Sequence, residues 1–241
     1  MLGNIMDQPL LISSLLRHAD RTSGDREIVT RTVEGTIHRY TYRDAHMRAR
    51  RLANALQALD VKLGDRVATM AWNTHRHFEV YYAVSGIGAV THTLNPRLHG
   101  SQLTYIMNHA EDAYVFVDIN LVALIEAVAD DLEHLKGVVV MTDRAHMPET
   151  SLANVLCYEE LIESHSDDLE WRSFDENTAS SLCYTSGTTG NPKGALFSHR
   201  STMIHAYASA LPDVLHMGES EVILPVVPMF HVNAWGIPYG A

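Results

Sequence analysis

Residues 66–94, RVATMAWNTHRHFEVYYAVSGIGAVTHTL, hold the pattern that decides the fold. Arg66 to Trp72 reads as a buried strand. Asn73 or Thr74 offers an N-cap, and a helix runs from there to about Gly86. Ala89 to Leu94 is the next strand. The same rhythm continues C-terminally. Ser101 caps a helix to about His109, Ala113 to Asp118 is a strand, Leu121 to Leu132 a helix, and Val138 to Met141 another strand. Strands alternating with helices imply parallel β-α-β units wound right-handed. Strands this apolar are covered on both faces. The expected fold class is α/β, with parallel β-α-β sheets covered by helices.

Upstream, Glu27 to Tyr42 alternates and turns at Glu34-Gly35, the pattern of a β-hairpin. Thr41 with Asp44 makes a capping-box-like start to a helix through Asp60, with Leu52, Ala55, Leu56 and Leu59 on one face. Arg48, Arg50 and Arg51 are expected on its solvated side rather than in a nucleic-acid patch. Downstream, residues 143–178 are polar and mixed and read as a connecting segment with one short helix near Tyr158 to Glu163. A new strand begins near Ala179. The expected organisation is an N-terminal α/β subdomain over 1–178, and the start of a second α/β subdomain over 179–241.

The 241 residues are enough to bury a sizeable core, and 46% hydrophobic with 20% charged residues is ordinary for a soluble globular protein. The net charge of −11 repels nucleic acid and anionic membrane, so anionic ligands must be held by local groups. Cys157 and Cys183 show no paired spacing, which fits a reducing compartment. No secretory signal is evident, and the most apolar stretch, Val80 to Val90, is too short to span a bilayer. A cytoplasmic protein is expected. Fifteen histidines raise the question of metal, but no H-E-x-x-H or finger spacing appears, and scattered structural histidines are the better reading.

The chemistry is concentrated in Tyr184-Thr185-Ser186-Gly187-Thr188-Thr189-Gly190-Asn191-Pro192-Lys193-Gly194. A strand, Ser180 to Tyr184, runs into a loop rich in glycine and hydroxyl side chains that carries one lysine. Glycines let backbone approach an anion closely, and successive N–H groups form an anion-binding concavity to which hydroxyls add donors. Lys193 brings the charge a polyphosphate needs. The common P-loop requires lysine directly after glycine and a hydroxyl after it; here Pro192 precedes Lys193 and Gly194 follows, which argues against a Walker-type NTPase.

This segment, with the following Ser198-His199, resembles the signature of the adenylate-forming (AMP-binding) superfamily of acyl-CoA synthetases, luciferases and peptide-synthetase adenylation domains. Thr41-Tyr42-Arg43, Gly64-Asp65-Arg66-Val67 and Asn95-Pro96-Arg97-Leu98 extend the likeness along the chain. The resemblance implies the N-terminal part of the large domain of an adenylate-forming enzyme. It implies that Thr185, Ser186, Gly187, Thr188, Thr189, Gly190 and Lys193 hold the β- and γ-phosphates of ATP. A carboxylate attacks the α-phosphorus and pyrophosphate leaves. Pre-placed donors and a lysine stabilise the charge that grows on the leaving group.

A second family element is Pro228-Met229-Phe230-His231-Val232-Asn233-Ala234-Trp235-Gly236. From the residues alone, an apolar strand, Val222 to Val227, ends at a proline-bounded aromatic loop in which Phe230, His231 and Trp235 pack a core. The resemblance instead places His231 beside the acyl carboxylate and α-phosphate, as a catalytic partner of Lys193, and makes Trp235 the aromatic gate of an acyl tunnel. A fatty or other short- to medium-chain carboxylic acid–CoA ligase is expected, using ATP, Mg2+ and CoA, with a homodimer as one expected assembly. The family's magnesium-binding glutamate, ribose-binding aspartate, hinge and C-terminal lysine have no counterpart here, so this chain alone is expected to be catalytically incomplete. The alternatives are a non-enzymatic nucleotide-, acyl-binding or dimerisation module, and an amino-acid-activating adenylation domain.

Overall fold

The computed structural model describes residues 1, 3–185 and 191–241. Helix α1 (Ser13–Ser23) precedes an antiparallel hairpin, β1 (Glu27–Arg31) and β2 (Ile37–Thr41), and then α2 (Tyr42–Ala58). The capping box forms as expected: the Thr41 hydroxyl accepts from Asp44 N–H, and the Asp44 carboxylate accepts from Thr41 N–H. The alternating stretch follows as β3 (Arg66–Met70), α3 (His75–Gly86), β4 (Val90–Thr93), α4 (Gly100–Ala110), β5 (Asp112–Val117), α5 (Val122–Glu126), β6 (Gly137–Val140), β7 (Val155–Cys157) and α6 (Tyr158–Glu163). The chain closes with β8 (Ala179–Thr185), β9 (Lys193–Ser198), α7 (His199–Ala210) and α8 (Ile237–Gly240).

Seven strands form one sheet in the order β7-β6-β5-β3-β4-β8-β9, parallel except for β9 against β8. Its two faces follow from strand alternation. Val67, Phe116 and Val139 pack with Leu52, Leu56, Val80 and Val84 of α2 and α3, whereas Ala68, Val115, Val117, Val138 and Val140 pack with Leu103, Ile106 and Ile125 of α4 and α5. The α/β class read from the sequence is therefore present. The start of β8 coincides with the boundary expected after residue 178, yet β8 pairs with β4 inside this same sheet. Among the described residues no helix is long and apolar enough to cross a membrane.

Several local expectations are corrected. The helix after β4 is capped by His99, not Ser101: His99 Nδ1 accepts from Ser101 N–H and Gln102 Oε1 accepts from His99 N–H. The helix expected over 121–132 ends with α5 at Glu126; beyond it the backbone tightens to three-residue turns, Val128 N–H donating to the Ile125 carbonyl and Asp131 N–H to the Val128 carbonyl, and Asn108 holds the exit through the Asp131 carbonyl (2.8 Å) and Glu133 N–H (2.9 Å). The 143–178 segment contributes an edge strand, β7, three residues long and hydrogen-bonded to β6. Val222–Val227 forms no strand. Asn73 Nδ2 donates to the Pro225 and Val227 carbonyls (3.0 and 2.9 Å), and Val222, Leu224 and Val226 project outward, 85–98% exposed.

Nor is the arginine face of α2 solvated. Arg48 donates to Glu79, which is fully buried (2.8 Å), and to both Glu159 oxygens (2.9 and 3.1 Å); Arg50 pairs with Asp167. Burial pushes the Glu79 carboxyl up, Arg48 opposes this, and Tyr158 donates its hydroxyl to Glu79 at 2.6 Å. Arg76 then links Glu159 to Glu34 of the hairpin turn. Truncating one partner of such a pair leaves an uncompensated buried charge. Arg48→Met is expected to cost about 3–5 kcal/mol by urea unfolding, and the Arg48→Met/Glu79→Leu double variant is expected to recover much of that loss.

Candidate functional site

In open α/β sheets ligands bind beyond the carboxyl ends of parallel strands, where the winding reverses. Here the chain winds from β3 to its neighbour β4 and then returns to β5 on the opposite side of β3, so the reversal lies between β3 and β5. Three described features lie at the carboxyl ends of these strands: Trp72-Asn73 after β3, Asp118 after β5, and Thr185 at the end of β8.

Strand alternation sorts the residues of β8. Ser181, Cys183 and Thr185 point to one face, Leu182 and Tyr184 to the other. Tyr184 packs over His92 and donates its hydroxyl to His109 Nδ1 at 2.6 Å, if the other ring nitrogen carries the proton. Burial pushes the Tyr184 phenol up to about 12, so it stays a donor. Thr185 lies opposite Lys193 in the β8–β9 ladder, and both are exposed. Ser186, Gly187, Thr188, Thr189 and Gly190 lie outside the described residues.

The second element, 228–236, is fastened over the same strand ends. Phe230 is buried and meets Trp72 edge-to-face at 5.5 Å. Met229 N–H donates to Asn73 Oδ1 at 2.7 Å, and Tyr81 donates its hydroxyl to the Met229 carbonyl at 2.5 Å. Residues 232–236 all take positive φ, between 48° and 71°. At Gly236 a Cβ would meet His205 Cδ2 at 2.6 Å, and His205 Nε2 bonds the Trp235 carbonyl at 2.8 Å. His231 is exposed at the start of this turn, and Trp235 is 65% exposed. The core reading thus holds for Phe230 and fails for His231 and Trp235.

The structure pairs Thr185 with Lys193 across the β8–β9 ladder and carries His231 and Trp235 on one loop. No hydrogen bond or ion pair joins one pair to the other among the described residues. Residues missed in the sequence hold the loop: Asn73 and Tyr81 bond Met229, and the link to β8 is Asn233, whose side chain reaches Ser181 (2.8 Å). Asn73 was visible only as a possible cap; Thr74 caps α3, which releases Asn73 to hold the loop. Among the described residues no group of three His, Cys, Asp or Glu could hold a metal ion.

A match to the AMP-binding enzyme family covers residues 15–241. The chain belongs to that family. It is 51% identical over 240 residues to a 3-methylmercaptopropionyl-CoA ligase of Ruegeria lacuscaerulensis, 48% over 241 to a medium-chain-fatty-acid–CoA ligase of Ectopseudomonas oleovorans, and 45% over 239 to a long-chain-fatty-acid–CoA ligase of Thermus thermophilus. These alignments cover 99–100% of the chain but only 42–44% of each relative. Among solved structures, an anthranilate CoA ligase in complex with anthranoyl-AMP superposes with a TM-score of 0.81 at 22% identity, over 98% of this chain and 45% of that one. A long-chain-fatty-acid-CoA ligase from Archaeoglobus fulgidus gives 0.82 at 20% identity, over 97% and 46%. At those identities the structures show a shared fold.

Beneath the loop of this AMP-binding family member, Asp118 accepts from Trp72 N–H at 2.7 Å, and burial pushes its carboxyl up to about 7. The folded state then keeps a proton that the unfolded state loses above about pH 4. Stability should fall as pH rises from about 4 through 7, by up to about 4 kcal/mol. Asp118→Asn, which keeps an acceptor for Trp72, is expected to flatten that slope in denaturant titrations at pH 4.5, 6 and 8.

Proposed function

We propose that this chain is the ATP- and carboxylate-handling part of an acyl-CoA ligase acting on a fatty or other short- to medium-chain carboxylic acid. The observation that carries the reading is convergence. The hairpin bearing Thr185 and Lys193 and the loop bearing His231 and Trp235 both sit at the carboxyl end of the parallel sheet, and side chains of β4 and β8 join them. The curated relatives support the reaction class: all three named above are CoA ligases of carboxylic acids.

In this proposal Thr185, Ser186, Gly187, Thr188, Thr189, Gly190 and Lys193 hold the β- and γ-phosphates of ATP. His231 lies beside the acid carboxylate as it attacks the α-phosphorus. Lys193, exposed on a strand next to the glycine-rich stretch, neutralises charge on the departing pyrophosphate. Trp235 forms part of the acyl wall. Mg2+ is proposed to arrive with ATP and to offset phosphate charge. CoA is the acceptor of the second step, in which its thiolate attacks the acyl carbonyl and AMP leaves.

The test is acid-dependent exchange of labelled pyrophosphate into ATP by the full-length protein, over straight-chain acids from two to sixteen carbons, a sulfur-substituted propionate, aromatic acids and amino acids. Exchange with straight-chain or substituted short acids supports the reading. Exchange confined to amino acids, or none, overturns it. Lys193→Met should lower the exchange rate on the order of a hundredfold, about 3 kcal/mol of barrier, yet leave binding of a preformed acyl-adenylate nearly unchanged.

Trp235 separates acyl selection from packing. Because the indole is largely exposed, Trp235→Ala is expected to change stability by about 1 kcal/mol or less in a melt. Removing a tunnel wall should favour longer or bulkier acids, each added buried methylene being worth up to about 0.8 kcal/mol. Unchanged kcat/KM ratios across the acid series would remove Trp235 from the site.

A further inference from the structure

Asn233 sits in the middle of the left-handed turn (φ 49°, ψ 38°), yet its side chain is buried. Its Nδ2 donates to Ser181 Oγ at 2.8 Å. Its Oδ1 receives the Cys183 thiol at 3.1 Å and the Thr93 hydroxyl at 3.4 Å. Burial pushes the Cys183 thiol up, so it remains protonated and able to donate. Ser181 and Cys183 lie two residues apart on one face of β8, and Thr93 stands beside Cys183 on β4. All three are buried. One carboxamide thus bridges the loop that carries His231 and Trp235 to two adjacent strands, one of which ends at Thr185.

We infer that Asn233 is a positioning residue, whose carboxamide sets the 231–235 loop in register with β8 and so fixes His231 relative to Thr185. The inference deepens the proposed function and, for its kinetic part, rests on it. Two physical points carry it. A run of five residues in the left-handed region is costly for every member with a Cβ, Val232 included, and persists only where surrounding contacts over-determine it. Asparagine tolerates that region better than most residues with a Cβ, so the backbone leaves its carboxamide free to reach β8 and β4. The amide also uses both its donor and its acceptor in fixed directions, which a hydroxyl or an apolar side chain of similar size cannot do.

The experiment compares Asn233→Ala, Ser181→Ala and the double variant in the full-length protein, with Asn233→Gly as a control that keeps the backbone conformation accessible. Hydrogen exchange is read first, at amides 229–236 and 181–185. Both single variants should accelerate exchange in the loop at least tenfold, and the double variant no further. In pyrophosphate exchange, each single variant should lower kcat about tenfold with the KM for ATP within twofold. Their effects should be non-additive, and melting temperature should not track the loss in kcat. Asn233→Gly should show the same kinetic loss as Asn233→Ala. Unchanged loop exchange, additive kcat losses, or loss proportional to melting temperature with rescue by Asn233→Gly would overturn the inference. If the wild-type protein exchanges pyrophosphate with no acid, the proposed function fails, and the hydrogen-exchange result still decides whether Asn233 holds the loop.

Discussion

The two-residue period of β8, a strand held on both sides, governs most of what surrounds the candidate site. Parallel pairing to β4 on one edge and antiparallel pairing to β9 on the other fix its register. Ser181, Cys183 and Thr185 then face the 231–235 loop, while Leu182 and Tyr184 face α4. A slip of one residue would exchange the faces, presenting Leu182 to the Asn233 carboxamide and Ser181 to an apolar pocket. Tyr184 adds a lock on the far side through His109, and His92 beside it is held by both oxygens of buried Asp112 at 2.9 and 2.8 Å. The stretch that leads into the glycine-rich connection is thus fastened on both faces.

Downstream of α7 the architecture changes character. Residues 222–238 contribute no ladder, and their position depends on side chains of α3 and of the turn before it reaching out to loop backbone: Asn73 to Pro225, Val227 and Met229, Tyr81 to Met229, and Tyr82 to Pro238. Such bonds have individually modest net energies, near 1 kcal/mol, but leaving a buried partner unmade costs more. The first part of the loop is therefore specified by direction more than by burial, with Val222, Leu224 and Val226 exposed, whereas Met229, Phe230 and Ala234 are held by burial as well.

Where local pattern carries the information, the sequence is legible. Strands β3, β5 and β6 carry apolar residues on both faces, and Thr41 and Thr74 are hydroxyl caps at strand-to-helix junctions, so the α/β class and most element positions follow from short windows. Three-residue β7 offers too little pattern to read. The Arg48–Glu79 and Arg48–Glu159 pairs span 31 and 111 positions, so a helix face that looks solvated in isolation is roofed by residues from elsewhere. The candidate site divides the same way. Its glycines, hydroxyls and lysine are contiguous, so the expectation of an anion site comes from composition alone, whereas Asn73 and Asn233 act across about 150 and 50 positions and their loop contacts leave no local sign.

The left-handed turn shows why this division matters for function. Ordering His231 and Trp235 by burying them would have removed them from any ligand, since a side chain packed in a core cannot also line an open wall. Here the constraint falls on other atoms: the Asn233 carboxamide, the Trp235 carbonyl bonded to His205, and Phe230 against Trp72. The backbone between them is fixed while the imidazole and the indole remain exposed. A conformation unfavourable for Val232, Ala234 and Trp235 persists because these contacts over-determine it, and it leaves the two side chains proposed to meet a ligand turned outward from a fixed backbone.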